Sequence, residues 1–274
     1  MKSSCRTLIQ QFCFFISIVC LVLFHNRALG QASAEEITKK LSNPISSLIS
    51  LPFQNNLTTG IGPLNGYQNT LNIQPVIPFQ LSKDWNLITR VVMPIVTQTD
   101  VLPVPGTHTG LSDIVASAFF SPAKVSNGLI WGTGPAFLIP SATNSYLGTK
   151  KWGVGPTAAA LFQASGWTFG ILANQIWSYA GSANRDAVSQ FYALPFVVHN
   201  WSSGAGVGVN ADITRNWEHR YMSAVITPNI SGLTHIGKQN FQLQAGPVIP
   251  VSAAPGEKPD FGFRTQITLV FPKK

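Results

Sequence analysis

Charged residues are scarce in this sequence: Asp, Glu, Lys and Arg make up 10% of its 274 residues, against about 25% in an average soluble domain. A soluble fold with 45% hydrophobic residues lacks the charge to cover its surface. Cysteine stops early. Cys5, Cys13 and Cys20 all lie near the N-terminus, so the rest of the chain offers no disulfide, thiol nucleophile or Cys metal ligand. A dense basic patch interleaved with aromatics is missing too, which removes nucleic acid as a partner. Long helices are disfavoured, because 23 Gly and 19 Pro are scattered along the chain.

What is present begins with a leader. Lys2 and Arg6 precede an apolar run from Phe12 to Phe24, and small residues follow at Ala28, Gly30, Ala32 and Ala34. This order predicts a secretory signal peptide over 1–30, cleaved near 30–32; the apolar run is too short for a comfortable bilayer span. Its loss removes Lys2, Arg6 and Arg27 from a formal net charge of +8, so the basic balance says little about partners. Residues 31–52 carry the one helical pattern, with Glu35 and Glu36 leading into Lys39 and Lys40 and a stop at Asn43-Pro44. The expectation is a periplasmic lead-in or partial plug.

From residue 53 to the end, extended segments recur at near-regular spacing: 53–62, 67–81, 85–99, 110–122, 129–142, 151–165, 167–179, 188–200, 204–214, 222–235, 239–251 and 260–271. Their connections alternate. Short ones such as "SKD", "SG" and "WSSG" trade places with longer ones such as "DVLPVPGTHTG", "SATNSYLGTK" and "SAAPGEKPD". An even number of strands with short turns at one end and long loops at the other is the pattern of an all-β, antiparallel transmembrane barrel of about 12 strands. A soluble sandwich has no reason to sort its loops this way.

Face alternation points the same way. "GAGVGVNADIT" sets Ala205, Val207, Val209, Ala211 and Ile213 against Gly204, Gly206, Gly208, Asn210 and Asp212, and the closing "FGFRTQITLVF" sets Phe261, Phe263, Thr265, Ile267, Leu269 and Phe271 against Gly262, Arg264, Gln266, Thr268 and Val270. Apolar outside with Gly, amide and charge inside suits lipid outside and water within. Trp85, Trp152, Trp167, Trp177, Tyr179, Trp201, Trp217 and Tyr221 fall near strand ends, where interfacial girdles belong. Pro75, Pro78, Pro94, Pro135, Pro156, Pro195, Pro228, Pro247 and Pro250 fall inside strands, where a missing N–H predicts bulges or kinks.

Chemical motifs are mostly negative. "WGTGP" and "WGVGP" complete neither a dinucleotide fingerprint nor a phosphate-binding loop. His25, His108, His199, His219 and His235 have no second ligand at metal spacing, so no metal or cofactor is expected. The twelve-stranded outer-membrane phospholipase depends on a His-x-Ser pair that this sequence does not contain. What remains are inward candidates: Arg90 and Arg264 against Asp113 and Asp212, with Asn86, Asn174, Asn210, Gln242, Gln244 and Gln266. In a narrow lumen they form a constriction field that selects permeants, or they bond one another to fill the bore. The sequence leaves both open.

The segments "NPISSLISLPFQNN", "LNIQPVIPFQLSKDWNLITRVVMPIV", "GLSDIVASAFFSPAK", "LIWGTGPAFLIPSAT" and "KWGVGPTAAAL", with the terminal "LVFPKK", closely resemble a family of uncharacterised bacterial outer-membrane proteins labelled transporter and sometimes neuromedin U. The chain is also distantly similar to the phenol-degradation MetA-pathway barrels. The resemblance implies outer-membrane lipids as surroundings and a barrel over 53–274. The Leu269-x-Phe271 ending resembles the signal read by the barrel assembly machinery. The expected function is a passive channel or transporter for an unknown small-molecule permeant, hydrophobic or aromatic molecules included. A structural or interaction barrel with a filled lumen is the alternative, and a barrel enzyme the third.

Overall fold

A strand that is apolar on one side and polar on the other leaves two unpaired edges unless the sheet curls until its ends meet. A computed structural model describes residues 34–125, 127–237 and 239–271 of the chain. The signal-peptide expectation and residues 272–274 lie outside the described residues. After the helix α1 (Ala34–Leu41), twelve antiparallel strands follow one another around a closed barrel. They are β1 (Ile49–Ile61), β2 (Gly66–Ile73 continuing in Val76–Gln80), β3 (Trp85–Thr99), β4 (Thr107–Leu111 continuing in Ile114–Pro122), β5 (Leu129–Ile139) and β6 (Lys151–Ala164). The second half comprises β7 (Trp167–Gly181), β8 (Ser189–Asn200), β9 (Ala205–Asn216), β10 (Tyr221–Ile236), β11 (Gln239–Ser252) and β12 (Phe261–Phe271).

Closure comes from the last strand. β12 pairs with β1 in an unbroken register from Ile49 opposite Phe271 to Thr59 opposite Phe261, and with β11 on its other side. The first strand therefore begins at Ile49, four residues before the expected 53: Pro52 is accommodated opposite Thr268. Among the described residues no helix is long and apolar enough to cross a membrane.

Turn chemistry sorts the two ends. Ser165 and Gly166, with φ of 48° and 81°, join β6 to β7 in a two-residue turn, the geometry that matches the twist of a hairpin. Residues 81–84, 123–125, 127–128, 201–204 and 237 lie at that same end, while 100–106, 140–150, 182–188 and 253–260 connect strands at the other. The N-terminal segment and the end of β12 both sit on the short-turn side.

Several of the prolines mark missing rungs, though Pro52 and Pro78 stay in register opposite Thr268 and Ile88. Pro75 separates the two parts of β2, and Pro94 faces the break in β4. The β6–β7 ladder skips Gly155 and Pro156, and the β8–β9 ladder skips Leu194 and Pro195. Between β10 and β11 the pairing lapses from Thr227 to Asn229, where Pro228 lies across from Pro247. A proline donates no hydrogen bond, so each gap sits where a rung has nothing to gain from regular geometry. On the outer wall the last gap opens an apolar groove between Val207, Pro228, Ile230, Pro247 and Phe263.

Burial is inverted relative to a water-soluble protein. Ile171, Val197, Val209, Ile230 and Ile267 stand exposed on the outside, as do Phe120, Phe137, Phe162 and Phe169. Tryptophans ring this band: Trp85, Trp131, Trp167 and Trp201 toward the short turns, and Trp152, Trp177 and Trp217 toward the long loops. Contiguous apolar surface on this scale is not left open to water by soluble monomers.

Candidate functional site

The chain's own N-terminal segment packs into the bore at its short-turn end. Glu36 and Lys40 pair one turn apart at 2.7 Å on the exposed side of α1, and Asn43 Oδ1 accepts the Ile45 amide at 2.9 Å as the helix ends. The turn aims Ile45 into the barrel, where it is 1% exposed among Val76, Ile88, Phe119, Leu172 and Phe196. Ile37 and Leu48 pack against Leu233 and Val270. Two polar contacts secure the segment: Asn200 Nδ2 donates to Ser42 Oγ at 2.8 Å, and Gln163 Nε2 donates to the Lys39 carbonyl at 2.8 Å.

At the other end the connection between β5 and β6, residues 140–150, folds inward. Leu147 is buried, and Gly148 and Thr149 reach the cavity wall. Asp113, in the break of β4, holds this loop: its carboxylate accepts the Thr149 amide and hydroxyl, both at 2.6 Å, and the Ala142 amide at 3.3 Å. Arg185 adds donors to the carbonyls of Ser145 and, at 2.6 Å, Gly148. Asp113→Ala should therefore release the loop, at a cost of about 2 kcal/mol for bonds to a charged acceptor. Hydrogen exchange across 140–150 is expected to quicken at least tenfold, with Asp113→Asn intermediate.

Between floor and roof lies a cavity of about 610 Å³. Arg90, Asp113, Asn174, Asn210, Asp212, Gln242, Gln244, Arg264 and Gln266 all stand on its wall. Asn86 does not. It shares the inward register of β3, but it lies on the short-turn side of Ile88, whose 2% exposed side chain belongs to the apolar floor.

The polar wall is organised around Asp212. Tyr192 OH donates to Oδ1 at 2.6 Å, while Arg264 Nη2 and Asn210 Nδ2 donate to Oδ2 at 3.0 and 3.3 Å. Arg264, on β12, crosses part of the bore to reach β9, and its Nε is bound by Asn56 Oδ1 at 2.6 Å. A separate chain of amides lines β1 and β2: Gln54 Oε1 accepts Gln74 Nε2 at 3.1 Å and Asn72 Nδ2 at 3.3 Å. Asn229 is linked to Gln244 at 2.6 Å and to Asn210 at 3.3 Å, placing three strands in one network.

Several polar residues at the cavity have no counterpart among the sequence candidates: Gln54, Asn56, Asn72, Gln74, Tyr192 and Thr149, of which Asn56 meets the wall through Arg264. The first four alternate along β1 and β2 with the same two-residue period that identifies Gln242 and Gln244, so their facing is legible. Tyr192 and Thr149 acquire their roles only through Asp212 and Asp113. The histidines stay apart. His199 lies between Trp167 and Trp201, His108 against Tyr146, and His219 beside Asp186 at 3.4 Å.

Fold and site together define a class: a closed, twelve-stranded antiparallel barrel, apolar outside, with a partly polar bore into which its own N-terminal segment packs. Neither a protein-family model nor a curated protein matches it. Solved structures do. The chain is similar to the crystal structure of the COG4313 outer membrane channel from Pseudomonas putida F1, over 90% of this chain and 100% of that one, with a TM-score of 0.63 and 16% identity. That likeness is one of fold. The beta domain of the Bordetella autotransporter BrkA aligns over 82% of this chain and 100% of that one, with a TM-score of 0.46 and 11% identity.

Proposed function

We infer that the protein is an outer-membrane channel that passes small molecules, hydrophobic and aromatic ones among them, along its lumen. The observation that carries this reading is the combination of an exposed apolar band between two tryptophan rings with a cavity inside the barrel whose wall carries amide and charged groups among apolar side chains. Such a wall belongs in a water-filled bore and such a band in hydrocarbon. The fold of a solved outer membrane channel and the resemblance to a transporter-labelled family support the same reading. On it, the short turns face the periplasm, residues 1–30 direct export, and Leu269 and Phe271 present the closing strand to the assembly machinery.

Expressed with its leader, the protein should fractionate with urea-washed outer membranes. On gels it should migrate faster before boiling than after, because a closed barrel resists detergent unfolding. A folded, water-soluble periplasmic monomer would overturn the reading. The apolar floor around Ile45 favours a second one, a structural barrel whose lumen is simply filled. Conductance separates the two.

A further inference from the structure

Arg90 is a cation without an anion. Its Nη2 donates to Gln74 Oε1 at 2.6 Å, and among the described residues no carboxylate lies at ion-pair distance from it. Asp212 is within electrostatic reach, but it already accepts from Tyr192, Asn210 and Arg264. Asp113 is engaged with the 140–150 loop. The middle of the cavity thus holds two guanidinium groups and one committed carboxylate.

The position of Arg90 is built. Gln74 gives its amide N–H to Gln54, which turns its oxygen toward the guanidinium and fixes one edge of the planar group. Val76 and Val92 flank Arg90 on the wall, and Val115, Leu138 and Leu194 supply further apolar surface to the same cavity. Arg90 is half-buried on the cavity wall, and a guanidinium with five N–H donors and one neutral side-chain acceptor has donors left to offer a ligand entering that cavity. Its planar fork matches a carboxylate.

We propose that the lumen contains a binding site for small organic acids, with the carboxylate on Arg90 and an apolar body of aromatic size against Val76, Val92 and Leu138. This rests on reading the cavity as a permeation path and specifies what that path selects. A volume of about 610 Å³ lies within the usual range for ligand pockets. The wall carries two guanidinium groups and two carboxylates, but Asp113 and Asp212 already accept hydrogen bonds from the protein. Arg90 is therefore the charged group open to a ligand and favours an anion, and the valine-lined wall favours an organic acid over an inorganic ion.

Titration calorimetry on the complete exported chain, folded in detergent micelles, tests the site without requiring conduction. Benzoate, its neutral isostere benzamide, and inorganic phosphate are the probes. Benzoate is expected to bind at least about tenfold more tightly than either. Arg90→Gln should bring benzoate down to the benzamide level and leave benzamide unchanged. The wild-type comparison holds even if that variant fails to fold. Equal affinity for benzoate and benzamide overturns the site, and phosphate binding as tightly as benzoate overturns its selectivity for organic acids. A protein that conducts without benzoate preference would lose the site and keep the channel. One that binds benzoate without conducting would lose the channel and keep the site.

Discussion

Replacing Val209 with lysine is expected to lower unfolding free energy in a bilayer by about 2–4 kcal/mol, the cost of a cation at the hydrocarbon midplane of a barrel. Val209 sits in the middle of β9, 47% exposed on the outer face, paired with Val197 on one side and Pro228 on the other. Nothing nearby accepts its charge. The adjacent Asn210 points inward, beside Asp212 at 3.3 Å, so Asn210→Lys gains an anionic neighbour and water. Its cost should stay below about 1 kcal/mol, the scale of a solvated ion pair. Urea titrations of vesicle-folded protein, followed by tryptophan fluorescence, measure both. Equal costs would mean that the facing of β9 is wrong.

The second large effect concerns the floor. Ile45→Asp places a carboxylate where the side chain is 1% exposed among Ile88, Phe119, Leu172 and Phe196. A buried charge without a partner costs several kcal/mol. Beyond Ile45 the segment is held by the packing of Ile37 and Leu48 and by two hydrogen bonds, and it should swing out where releasing those contacts costs less than burying the charge. A shift of about 3 kcal/mol raises the undocked population more than a hundredfold. Trypsin cleavage after Lys39 and Lys40 should quicken by that order, while β1 to β12 remain resistant. Ile45→Val, which keeps the apolar contact, should behave almost like wild type. If Ile45→Asp is cut no faster than wild type, the segment is not held by this residue.

These effects also show how far the sequence reaches. Strand number and facing are written in the two-residue period: Val209 out and Asn210 in follow from "GAGVGVNADIT" alone. The broken rungs beside Pro75, Pro94 and Pro228 are legible too, since the missing N–H is a property of one residue. The start of β1 at Ile49 was harder to read, because Pro52 interrupts the pattern and only its pairing opposite Thr268 makes a strand of it. Contacts across the bore are a different matter. Ile45 is buried because side chains of seven strands, β2 to β8, converge on one point, and Asp113 becomes a loop anchor because residues 142–149 turn inward to meet it. Neither follows from local periodicity. Asn86 shows the same limit from the other side: its inward facing is local, but whether it meets the cavity depends on where the floor lies.

Planar-bilayer conductance tests the central claim, that this is a channel whose bore is stoppered by its own N-terminal segment. The complete exported chain and one lacking residues 34–46 would be compared at equal protein and salt. The complete chain should pass little current, and the truncated chain should open steps several times larger, with preference for anions set by Arg90. Silence from both, with each correctly folded, would mean that the lumen is filled and the barrel structural.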